Sequence, residues 1–196
     1  MRLLLAGITA ALLALSSATP AVAGDYVHTD GSGDMWRSGV DVDDGYHPDP
    51  SQVEGDITRV QMRHTRSHVQ LFMTVREAKR ETLNTFFHFK LQNGRKKLTQ
   101  VNVGTYRSAP DGVLTIEDAR YREKRCRGLK GFKINWDTNT VAVTIPRTCV
   151  GRPKVLRLKP YLSLDYDTVF DYADAGQSAL NPFFGGQPWS RWVRRG

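Results

Sequence analysis

Two cysteines in 196 residues are too few for a disulfide-dense miniprotein. No long apolar run follows residue 15, which excludes a polytopic membrane protein, and no heptad pattern supports a coiled coil. Enzyme signatures are equally scarce. The chain has no GxSxG, HExxH, P-loop or dinucleotide fingerprint. Its five histidines include one pair at metal-ligand spacing, His64 and His68, but that pair straddles a predicted turn and no third ligand can be named. Paired carboxylates for glycoside hydrolysis require a spatial separation that sequence spacing does not supply. What remains is a chain with 10% aromatic residues and with Val and Ile spread along it, which argues against wholesale disorder. At about 150 residues per domain, its length suits one globular domain.

The first 23 residues read as an address. Met1-Arg2 is followed by thirteen weakly polar and apolar residues, Leu3 to Leu15, then a polar stretch and Ala21-Val22-Ala23. Charge, apolar core and small residues in that order make a secretory signal peptide, with cleavage expected after Ala23. Thirteen residues fall short of the roughly 20 that span a bilayer, so no membrane span is expected. Export to an oxidising compartment lets Cys126 and Cys149 pair. On the chain-entropy account, closing that loop stabilises the fold by about 3.5 kcal/mol.

Period-two alternation dominates after Gly55: Val60 and Met62, then Val69, Leu71, Met73 and Val75, and later Val141, Val143 and Ile145. Asn93-Gly94 is a hairpin signal because both residues tolerate positive φ. Glu77 to Glu81 suits one helical turn. The pattern predicts an all-β protein: a single antiparallel, jelly-roll-like β-sandwich of eight or nine strands with one disulfide. Its parts are the signal peptide (1–23), an acidic N-terminal arm (24–56), the sandwich body (57–180) and an irregular C-terminal tail (181–196).

Charge is unevenly spread. Residues 24–56 hold nine acids and one base, whereas residues 57–160 hold 23 bases and seven acids. In the basic body, Arg95-Lys96-Lys97 follows a hairpin tip, and Arg152, Lys154, Arg157 and Lys159 come later. Arg120, Arg122, Lys124, Arg125 and Lys130 crowd around Cys126. On a strand, positions i and i+2 share a face, so Arg120, Arg122 and Lys124 would form a ladder facing a polyanion. The expected partner is an extracellular anionic polymer or polysaccharide. The export signal and the lack of a nucleic-acid motif disfavour nucleic acid, and oligomeric state is not legible.

Asp30, Asp34, Asp41, Asp43 and Asp44 lie among glycines, the oxygen-rich setting hard cations favour, so a structural calcium is the one cofactor the pattern admits. The same carboxylates would serve a small extracellular hydrolase, the alternative to a non-catalytic binding module; a purely structural secreted domain is the third reading. Trp189 and Trp192 are candidate aromatic ligand contacts, since exposed rings stack on sugar faces, or else a cap on an open core edge.

Asp30-Gly31, Asp34-Met35-Trp36 and Gly55-Asp56-Ile57, followed by the Val60–Val75 hairpin, resemble the opening of secreted sandwich modules of the family 9-like carbohydrate-binding and DOMON type. The resemblance covers residues 28–76. It implies a β-sandwich with sugar or, in some branches, haem as ligand. The chain shows neither a paired-tryptophan sugar clamp nor a Met/His pair for haem.

Overall fold

The computed structural model describes residues 24–38, 46–82, 84–164, 169–171 and 189–196. The expected signal peptide and Asp41, Asp43 and Asp44 lie outside them. The described residues form thirteen strands and no α-helix, and every strand pair is antiparallel. Among the described residues no helix is long and apolar enough to cross a membrane.

One sheet contains β1 (Gly24–Thr29), β4 (Ile57–His64), β5 (His68–Val75), β10 (Thr140–Pro146) and β9 (Gly131–Asn135), in that order. The other runs β3 (Tyr46–Pro48), β2 (Trp36–Ser38), β12 (Val169–Asp171), β11 (Val155–Leu164), β6 (Phe86–Asn93), β7 (Leu98–Tyr106) and β8 (Ala109–Asp118). A two-residue strand, β13 (Val193–Arg194), pairs with the start of β11 while β12 pairs with its end.

Alternation explains the long strands. Along β5 and β6 every second residue is buried, and Leu71, Met73, Phe87 and Phe89 are among the fully covered side chains. A single buried cluster draws on both sheets, including Val60, Met62, Val143, Val103, Leu158 and Leu162. Each such large side chain contributes about 1.5–3 kcal/mol relative to leaving it in water.

Thirteen strands exceed the predicted eight or nine because β1, β2, β3 and β13, in the segments read as arm and tail, are too short or too irregular in alternation to register. Three of them fall in residues 24–56. That acidic segment contributes β1 to one sheet and the β2–β3 hairpin to the other. Val193–Arg194 of the expected irregular tail form β13. It packs so closely that a Cβ on Gly24 would overlap the Arg194 carbonyl oxygen, leaving position 24 to glycine. Glu77 to Glu81 forms no helical turn: Glu77 bridges Glu54, and a tight turn at Arg80 and Glu81 follows, closed by the Thr82 N–H donating to the Lys79 carbonyl at 3.3 Å.

The terminal strand also seals a buried histidine. His64 is fully covered at the end of β4, and its Nδ1 lies 3.4 Å from the Val193 carbonyl oxygen. The Gly196 N–H donates to the His64 carbonyl at 3.1 Å. Burial pushes the imidazole pKa below its ordinary value, with the Val193 carbonyl opposing and nearby Arg147 and Arg195 reinforcing the shift. A depressed folded-state value means that the unfolded chain binds the proton more readily. Stability is therefore full above the unperturbed value of 6.5 and falls as pH drops below it. The melting temperature should decline as the buffer is taken from about pH 7 to about pH 5, and His64→Leu should flatten that decline. An unchanged slope in the variant would assign the acid sensitivity to other groups.

Candidate functional site

Two loops at one end of the second sheet are built by the same device. At the β6–β7 turn the Asn93 side-chain oxygen accepts from the backbone N–H of Arg95 (2.9 Å) and Lys97 (3.1 Å). The Lys96 N–H returns to the Asn93 carbonyl at 2.8 Å, and Lys96 takes a left-handed φ of 59°. After β8 the Asp118 carboxylate accepts from the N–H of Arg120 (2.8 Å) and Arg122 (3.2 Å). The Tyr121 N–H returns to the Asp118 carbonyl at 3.0 Å, with a Tyr121 φ of 58°. A short side-chain acceptor that mimics a backbone carbonyl is what Asn and Asp supply. Each turn holds a cation at its third and fifth positions, Arg95 and Lys97 in one, Arg120 and Arg122 in the other.

This geometry corrects two expectations. The left-handed residue of the first turn is Lys96 rather than Asn93 or Gly94, because Asn93 acts through its side chain. Arg120, Arg122 and Lys124 do not form a strand ladder either. The Asp118 carboxylate takes the N–H groups that a longer β8 would have used, so the strand ends at Asp118.

Between these turns lies a cleft of about 780 Å³. Its far wall is the Cys126–Cys149 disulfide, with Cα atoms 5.6 Å apart, and Thr148 to Val150 of a 3-10 turn, Arg147–Val150. Six cations line it, Lys96, Lys97, Arg120, Arg122, Lys124 and Arg125, against one carboxylate, Asp118. Hydrogen bonds from the Arg122 side chain and then the Arg120 N–H hold the Asp118 pKa down to about 2, so it stays charged and occupies Arg122. Lys124 is also committed: its Nζ donates to Thr99 Oγ1 (3.3 Å) and to the Cys149 carbonyl (3.2 Å). Lys96, Lys97, Arg120 and Arg125 are exposed. The site therefore offers a concave field of positive charge able to hold an anion.

Four of the five predicted cations meet here. Lys130 does not; it lines a separate cleft of about 600 Å³ on the first sheet with Lys133 and His68. Lys96 and Lys97 were missing from the predicted set. For Lys97 the available signal was the shared spacing of Asn93-x-Arg-x-Lys and Asp118-x-Arg-x-Arg; Lys96 falls between the marked positions.

Trp189 and Trp192 flank the Arg157 guanidinium, at 4.8 and 4.7 Å from its carbon to the ring centroids. Gln92 Oε1 accepts from Arg157 Nε at 2.8 Å. Each ring thus spends a face on an internal cation, though Trp192 stays 43% exposed. Asp30 is buried, with His28 Nε2 3.5 Å from its carboxylate. Asp56 is fully buried and accepts from the Gly33 N–H at 2.9 Å, and burial raises its pKa. Among the described residues no three His, Cys, Asp or Glu side chains form a group able to hold a metal ion. His64 is buried, whereas His68 lines the outer cleft beside Lys130, so the pair does not converge. No family model, curated protein or solved structure matches this chain.

Proposed function

We propose that this protein is a secreted, non-catalytic β-sandwich module that binds an anionic polymer through the cleft beside the disulfide. The observation that carries the reading is the convergence of six cations on one concave surface with a single, already paired carboxylate. Such a surface attracts a polyanion at long range and holds it by displacing counter-ions. The sandwich arrangement is supported by the one buried cluster drawn from both sheets. Secretion is supported by the charge–apolar–small order of residues 1–23 and by a disulfide that persists in oxidising compartments. The basic cleft lies apart from the residues that resemble carbohydrate-binding and DOMON-type modules, so the fold part of that resemblance carries further than its ligands.

Retention on an immobilised acidic polysaccharide as salt rises tests the reading. Binding should be strong at about 20 mM salt, where screening is weak, and should fall linearly on logarithmic axes as salt increases. No retention at the lowest ionic strength would eliminate polyanion binding.

A further inference from the structure

We infer that the ligand is a linear anionic polysaccharide long enough to cross from this cleft into a second basic cleft on the far side of Asn93 and Gly151. The inference rests on the polyanion reading above and adds the form and length of the ligand. The second cleft, of about 410 Å³, shares Asn93 and Gly151 with the first and continues past Arg95, Arg152 and Lys154. No carboxylate lines it.

The saddle between the clefts is fixed. The Asn93 side-chain nitrogen donates to the Val150 carbonyl at 3.5 Å, joining the β6–β7 turn to the 3-10 turn. Gly151 follows with a φ of 78°, a left-handed conformation that keeps a side chain out of the passage. Arg195 donates its N–H to the Lys154 carbonyl at 2.9 Å, so the exposed Arg194 and Arg195 extend the cationic track beyond the second cleft.

A compact anion would satisfy one cleft and leave the cations of the other repelling one another. A chain with charge on successive units satisfies both, and its second contact forms at the high effective concentration set by the first. Polysaccharide fits better than single-stranded nucleic acid because base stacking needs aromatic platforms, and no aromatic residue lines either cleft. The exposed Tyr121 at the tip of the second turn lies outside both linings.

The test is a length series of heparin-derived oligosaccharides, from disaccharide to dodecasaccharide, titrated against the intact protein at fixed low salt. The dodecasaccharide should bind at least about tenfold more tightly than the tetrasaccharide. In Arg152→Asn/Lys154→Ala, where Asn tolerates the left-handed backbone of residue 152, that ratio should shrink towards one while the melting curve stays put. Length-independent binding by the wild-type protein overturns the two-cleft groove and leaves the polyanion reading standing. A ratio unchanged in the variant does the same. Failure of every oligosaccharide to bind removes both. Tighter binding of a charge-matched single-stranded oligonucleotide than of the dodecasaccharide overturns the choice of polysaccharide.

Discussion

Replacing Lys97, Arg120 and Arg125 together with glutamate should weaken acidic-polysaccharide binding by about a hundredfold and lower its salt dependence. Each exposed pair contributes at most about 1 kcal/mol, but reversal turns three attractions into three repulsions on one concave surface. Among the described residues none of these three side chains makes a hydrogen bond or ion pair, so the fold should tolerate the change. Melting temperature should move by no more than a degree or two, because exposed substitutions of this kind stay within about 0.5 kcal/mol each. Reversing three exposed arginines elsewhere, Arg59, Arg66 and Arg107, gives the same net charge and separates a local site from general attraction. If that control loses as much affinity as the cleft variant, the cleft is not the binding site.

Removing the disulfide in Cys126→Ser/Cys149→Ser should affect stability and binding together. Freeing the 23-residue separation between the cysteines returns about 3.5 kcal/mol of entropy to the unfolded chain. For a protein of this length that corresponds to a melting temperature about 7–14 °C lower. Binding should suffer as well, because the bridge joins the segment carrying Arg120 to Arg125 to the end of the β9–β10 hairpin. Lys124 reaches the Cys149 carbonyl across the same joint. At a temperature where the variant is still folded, acidic-polysaccharide affinity should fall at least about tenfold, since a loosened loop must pay ordering entropy on binding. A folded variant that binds as tightly as the parent would show that the bridge serves stability alone.

Several of these features were legible in the residues. The alternation of Val69, Leu71, Met73 and Val75 has one physical solution, a strand with one face covered, and β5 buries those four positions. The pairing of the only two cysteines needed no geometry. Concentration of charge around Cys126 was equally plain. The arrangement of that charge was not, because a strand reading of residues 120–124 ignores what one carboxylate does to its own backbone. Asp118 accepts two N–H groups and ends β8, and a side-chain competitor of this kind leaves no periodic trace. The tail misled for a related reason: β13 has two residues, too few for any pattern, and exists because β11 has an open edge at Val155 and Leu156.

Composition and periodicity alone determined an all-β chain, one disulfide and a basic body, since burial of alternate side chains and redox pairing depend on residue type and order. Which cations share a surface was decided only in three dimensions. Loops separated by twenty-five positions became neighbours because β6, β7 and β8 run side by side, and spatial adjacency across a sheet is set by strand pairing rather than by distance along the chain.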